Sequence, residues 1–281
     1  MNQGKYVFSQ LIEFLSPNEF NHCVLRYKGN YKVKSFSCWH QMLYMIFGQL
    51  SNRESLSDLI VCLQSQKNKS YHLGMGRGTS KVNLAKANEK RDYRIYESFA
   101  SSLVAQAQAL SIPDESFELQ IDAPVYAIDA TVVDLCLNLF WWGKFRRHKA
   151  AVKLHTMLDV KTSIPTVIFI TSGAVHEVNL LDHFPIEEGS YYLLDKGYIE
   201  FEKLYRIHKS AAYFVMPAKD NFAFVRLNSR TVDKQSGVIC DQTVRLKNQL
   251  VSLKYPPEPR SFKYPDAEPD PQPASLTTNF E

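Results

Sequence analysis

Up to residue 111 the apolar side chains recur at the spacing of a helix, and after Ile112-Pro113 they alternate as in a strand. That change of period divides the chain into an all-helical part and a part built around a sheet. In the first part Phe8, Leu11, Ile12 and Leu15 lie at i, i+3, i+4 and i+7, and Ser16-Pro17-Asn18-Glu19 offers a capping box with proline at the first helical position. Residues 36–50 are apolar nearly all round, as a central buried helix would be, and Ser51-Asn52-Arg53-Glu54 is expected to cap a helix running through Leu56, Leu59, Ile60 and Leu63. A polar, basic turn follows over 64–78, then a short segment over 79–88 that carries Lys81, Asn83, Lys86 and Asn88. The two segments resemble a helix-turn-helix with a long turn, in which Lys81 and Lys86 would contact DNA; a surface corner with solvated lysines fits the same composition. A long amphipathic helix from Asp92 through Ile95, Phe99 and Leu103 ends the region.

Net charge is +4 over 281 residues, but residues 1–100 carry 14 Lys and Arg against 7 Asp and Glu, leaving the remainder net acidic. A basic part that attracts polyanions, followed by a part richer in carboxylates, suits an enzyme acting on nucleic acid; a solvated surface would show the same asymmetry. Cys23, Cys38, Cys62, Cys136 and Cys240 show neither paired spacing nor a zinc-type cluster. With no membrane-length apolar run and no signal-peptide layout, a reducing, cytoplasmic setting is expected.

In the second part, residues 125–139, 150–160 and 165–172 read as an antiparallel meander. A short helix over 176–184, a strand over 191–194, a helix over 200–209 and a strand over 211–216 follow. That order is ribonuclease H-like, an α/β layout with a mixed sheet. Further strands are expected over 222–227, 238–246, 250–255 and 262–264. The expected organisation is therefore a helical DNA-binding region over 1–110, a ribonuclease H-like core over 111–219, and a β-rich insertion with the chain end over 220–281.

Asp129 interrupts the apolar run of the first strand in Tyr126-Ala127-Ile128-Asp129-Ala130-Thr131, and Asp195 stands at the carboxyl end of the fourth in Leu194-Asp195-Lys196-Gly197-Tyr198. Each alone fits a turn or a hydrogen bond. In a ribonuclease H-like sheet the two strands run side by side, which would bring both carboxylates to one divalent-ion site able to serve phosphodiester displacement.

These motifs, with Phe36-Ser37-Cys38-Trp39-His40-Gln41, Phe47-Gly48-Gln49-Leu50 and Ser70-Tyr71-His72-Leu73-Gly74, occur in an order that resembles the DDE transposases of insertion sequences, in the IS-four group. The resemblance implies that Asp129 and Asp195 are the first two catalytic and metal-binding carboxylates, that Mg²⁺ or Mn²⁺ is the cofactor, and that the partner is double-stranded DNA at transposon ends and target. It also implies a homodimer on paired ends, and a stretch after Lys219 that precedes the last catalytic helix. The family's Tyr-x-x-Arg-x-x-x-Glu-x-x-x-x-x-x-Lys motif is absent from this sequence. Glu200, Glu202, Glu258, Glu268 and Glu281 are poorly placed to replace its glutamate, so a C-terminally truncated copy, inactive alone, is expected.

Between the first two strands, Phe140-Trp141-Trp142-Gly143-Lys144-Phe145-Arg146-Arg147-His148-Lys149 mixes aromatic and basic side chains. Trp142, Lys144, Arg146, Arg147 and Lys149 suit a DNA groove, where cations neutralise phosphates and an aromatic stacks on an exposed base; a packed hairpin with a solvated rim is the alternative. His155 and His176 are expected to be structural. A non-catalytic DNA-binding regulator and a ribonuclease H-fold nuclease remain as competing functions.

Overall fold

The computed structural model describes residues 6–70, 72–76, 78–111, 121–135, 144–146, 149–218, 223–232, 238–263 and 275–278. The chain divides into two compact units, Met1–Leu110 and Ser111–Glu281.

The first unit holds helices α1 (Val7–Ile12), α2 (Pro17–Arg26), α3 (Cys38–Leu50), α4 (Leu56–Ser65), α5 (Lys81–Lys90) and α6 (Arg94–Leu110). Four begin on a serine cap: the hydroxyls of Ser16, Ser37, Ser55 and Ser80 accept from the backbone N–H of Glu19, His40, Asp58 and Asn83. The expected cap at Ser51 is corrected to Ser55. Ser51 instead ends α3, with its N–H bonded back to Phe47, and Asn52 turns the chain in the left-handed region at φ 52°. In the core Phe20 meets Trp39 and Phe99 edge to face, at 5.4 and 5.1 Å between centroids. Buried Gln41 joins three helices: its amide donates to Asn88 at 2.6 Å, and its carbonyl accepts from Arg91 and Tyr96 at 2.7 Å each.

The second unit is a mixed sheet of strands β1 (Val125–Leu135), β2 (Lys144–Arg146), β3 (Lys149–Asp159), β4 (Ile164–Ser172), β5 (Tyr191–Leu194), β6 (Tyr213–Pro217), β7 (Phe224–Ser229), β8 (Cys240–Leu246), β9 (Arg260–Lys263) and β10 (Ser275–Thr277). Among the described residues it is accompanied by helices α7 (Phe201–Lys209) and α8 (Gln249–Lys254) and 3-10 turns at Glu177–His183 and Lys196–Tyr198. The strand order is β2-β3-β1-β5-β6-β10-β9-β8-β7, with β4 on β3. β1 is antiparallel to β3 and parallel to β5, and β5 is parallel to β6.

Because β10 pairs with both β6 and β9, the strands after 219 continue the same sheet. The strand expected over 250–255 is corrected to α8. Val251 packs on the core and Tyr255, four residues on, is buried, which is one helical face; Leu253 points to solvent.

Cross-strand partners share a face, so the pairs Ile128 with Met157 and Ala130 with His155 define a covered side packed by Leu180, Leu181, Phe184, Leu204 and Ile207. On the other side lie Asp129 with Thr156, Val133 with Val152, Leu154 with Ile170, and Thr156 with Ile168. This side is open: Val133 is 46% exposed, Ile168 43% and Ile170 62%.

Candidate active site

The β1–β5 register pairs Ile128 with Leu194, both buried, so the next residues on these parallel neighbours are Asp129 and Asp195. Adjacent strands lie about 4.8 Å apart. Both aspartates are exposed, and each is oriented by one backbone donor: Ala130 N–H to Asp129 at 2.7 Å, and Gly197 N–H to Asp195 at 3.5 Å. Asp195 thereby caps the 3-10 turn at Lys196–Tyr198, where the strand passes into a helix.

Behind the pair lies a buried polar cluster that sequence reasoning missed. Lys153, on the covered side of β3, donates to Glu177 and to the Val175 carbonyl, both at 3.1 Å. Glu177 and Asp195 flank Gly197: a Cβ there would stand 2.7 Å from Glu177 Oε2 and 3.7 Å from Asp195 Oδ2. Tyr198 is fully buried, and its hydroxyl has no partner among the described residues. Burial pushes the Tyr198 phenol well above its ordinary range, and the charges of Glu177, Asp129 and Asp195 push it further. His155 is also fully buried, with Nε2 2.9 Å from the Thr171 hydroxyl and Nδ1 without a described partner. Burial lowers its pKa, Lys153 adds to the effect, and Glu177 opposes it. The only sequence signal for this cluster was the odd-numbered polar pair Lys153 and His155 within an otherwise alternating strand.

Two exposed carboxylates at neighbouring strand ends are hard oxygen donors of the kind Mg²⁺ accepts alongside water and phosphate. Among the described residues no group of three His, Cys, Asp or Glu side chains is set to hold a metal ion. Glu177 is engaged by Lys153, which sits on the side of the sheet away from Asp129. Asp129 and Asp195 are thus the two described side chains that could hold a divalent ion at these strand ends.

Residues 120–265, just over half of the chain, match the family described as a transposase DDE domain. The chain belongs to the DDE transposase family. Residues 3–76 of this DDE-family chain match a domain of unknown function, DUF4372. The chain is 27% identical over 170 residues to a protein of Sinorhizobium fredii named as a transposase, covering 59% of this chain and 46% of that protein. It is 25% identical over 128 residues to a protein of Geobacillus stearothermophilus named as a transposase for an insertion sequence element, covering 43% of this chain and 34% of that protein. The chain thus spans less than half the length of these curated relatives. Among solved structures, endonuclease V of Streptomyces avermitilis is similar at 12% identity over 65% of this chain and 76% of that chain, with a TM-score of 0.27, a likeness from which nothing further follows. Divalent-metal dependence is general to the DDE family.

The remaining sequence candidates fall elsewhere. Lys81 opens α5 and Lys86 lies within it, both exposed. Lys144 and Arg146 are on β2 and Lys149 begins β3, whereas Trp142 and Arg147 lie outside the described residues. No helix among the described residues is long and apolar enough to cross a membrane.

Proposed function

We propose that this DDE-family chain contributes end binding and two of the three metal-holding carboxylates to a DNA transposase. The observation that carries the reading is the neighbouring, exposed placement of Asp129 and Asp195 at strand ends inside the DDE-matching segment. The order β4-β3-β1-β5-β6, with β1, β5 and β6 parallel, supports a ribonuclease H-like core over 111–219. On this reading 1–110 is the DNA-binding region and 220–281 the β-rich insertion, here hydrogen-bonded to the core through β10.

When Mg²⁺ or Mn²⁺ is bound, it would activate a water or 3′-hydroxyl and stabilise the leaving oxygen of the phosphodiester. Asp129 and Asp195 would hold it, each kept in orientation by its backbone N–H. The Lys153–Glu177 pair lies against the turn at Gly197, where Glu177 leaves no room for a side chain. Buried, neutral Tyr198 fills the space behind the carboxylates without adding charge. Lys81, Lys86, Trp142, Lys144, Arg146, Arg147 and Lys149 would meet phosphates and unpaired bases of the DNA. A homodimer would pair two element ends.

The third carboxylate that this reading calls for does not converge on the pair among the described residues. A second reading, a non-catalytic DNA-binding regulator of transposition, is favoured by the lack of a third converging carboxylate among the described residues. The test is end cleavage and strand transfer with purified chain, Mn²⁺ or Mg²⁺ and DNA bearing the element's ends, beside an Asp129→Ala control. DNA binding without cleavage is expected. Cleavage abolished in the control would mean that the chain already contains a third carboxylate.

A further inference from the structure

The helical unit contains a cavity of about 530 Å³ between the loop after α2 and one face of α5. Lys28, Lys32 and Lys34 line one wall; Lys86 and Lys90, on the Asn83-Lys86-Lys90 stripe of α5, line the other. All five are exposed, and none has a carboxylate partner among the described residues. Asp92 also lines the cavity, but its carboxylate is held by Arg94 at 2.6 Å. Five uncompensated ammonium groups around one depression repel one another, a cost that an anion placed among them would remove.

The loop is a fixed scaffold. Lys28 and Lys32 both take left-handed backbone, at φ 53° and 56°, where glycine or asparagine is the ordinary choice. Gly29 N–H bonds to the Val24 carbonyl at 2.9 Å, and the Asn30 side chain accepts from Cys38 N–H at 2.9 Å. Gly29 is pressed so close to the core that a Cβ would stand 2.4 Å from Ile95 Cδ1 and 2.8 Å from Cys38 Sγ. Arg91 ties α5 to the other side by donating to the carbonyls of Ser37 and Phe36 and to Gln41.

We propose that this cavity is a docking groove for the sugar-phosphate backbone of duplex DNA, a site that rests on the transposase reading and locates its end-binding surface. Lysines are strongly hydrated point charges, suited to neutralising phosphates rather than to the bidentate reading of base edges that arginine performs. Arg91 is taken up by the Ser37 and Phe36 carbonyls and Gln41, and it covers the Phe36 ring beneath the cavity at 5.4 Å, so neither of these two groups is open to a base. Exposed Tyr31 stands at the rim with the Lys32 ammonium over its ring at 5.2 Å, which holds that charge at the mouth of the groove. Lys81 does not line the groove, so of the two α5 lysines picked out from the sequence only Lys86 belongs to it.

The experiment is a fluorescence-anisotropy titration of the full chain with an element-end duplex and an unrelated duplex, across a salt series. The variants are Lys28→Gln/Lys32→Gln/Lys34→Gln, Lys86→Gln/Lys90→Gln and a Lys254→Gln control in the other unit. Both groove variants should keep the wild-type melting temperature and lose affinity for the two duplexes alike, and the slope of log K against log salt should flatten by about 0.9 for each phosphate that is no longer neutralised. The control should leave the slope unchanged. Wild-type binding that the groove variants do not alter would overturn the groove and leave the DNA reading standing, whereas no wild-type binding at low salt would overturn both. Loss confined to the element end would overturn backbone docking in favour of sequence reading, and stoichiometric displacement by inorganic phosphate would make the cavity a small-anion pocket.

Discussion

Asp129 and Asp195 are two like charges exposed at neighbouring strand ends, each receiving one backbone hydrogen bond. Because neither packs in the core, Asp129→Asn and Asp195→Asn should shift stability by no more than about 0.5 kcal/mol in a urea melt. Lys153 behaves differently. It is 8% exposed and satisfied by Glu177 and the Val175 carbonyl, so Lys153→Met leaves both acceptors without their cation and should cost about 1–3 kcal/mol in the same melt. His155 and His208 are held below the ordinary histidine value, His155 by burial and Lys153, His208 by burial alone. A lowered folded-state pKa contributes stability above the unfolded value, near 6.5, that is lost as pH falls through the folded one. The melting temperature should therefore drop as pH is taken below about 6, and His155→Gln should flatten that dependence; a pH-independent melt between about 7 and 5 would contradict it. The two aspartates were legible in the sequence because a lone carboxylate in an apolar strand is conspicuous. Lys153, Glu177 and Tyr198 were not, since their meeting depends on a strand, a 3-10 turn and a buried phenol far apart in the chain.

At the scale of elements, the cap at Ser16 and the β1–β3–β4 meander followed by β5, α7 and β6 could be read directly from the residues, because capping and strand alternation are local signals. Ser51 was mistaken for a cap since two serines four residues apart both precede the helix, and only the left-handed turn at Asn52 decides between them. The strand expected over 250–255 is a helix, because a short apolar run has no period of its own; packing of Val251 and Tyr255 on the core settles it. Gly29 tests the scaffold that positions the basic loop. Gly29→Ala should lower the melting temperature and weaken DNA binding together, since a methyl group cannot fit beside Ile95 and Cys38 without moving the loop. A fully stable Gly29→Ala with unchanged binding would show that the loop tolerates displacement.

For the whole molecule, one side of the β1–β3–β4 sheet is packed and the other presents Val133, Leu154, Ile168 and Ile170 around Asp129. Contiguous apolar surface of this kind mediates association. Ile168→Thr with Ile170→Thr should raise solubility and reduce oligomerisation in sedimentation velocity, leaving the melting temperature within a few degrees; unchanged association would place the sticky surface elsewhere. Sequence alone revealed an α/β chain with a helical start and a DDE resemblance, but not an open sheet side beside a paired-carboxylate site, since that depends on which strand faces are covered in three dimensions. The central claim is that Asp129 and Asp195 together hold a divalent ion. Titration of the full chain with Mn²⁺, read by electron paramagnetic resonance of the free ion, tests it without requiring catalysis. Saturable binding in the wild type that is lost in both Asp129→Asn and Asp195→Asn, with folding intact, is the expected result; binding that survives either substitution unchanged would contradict it.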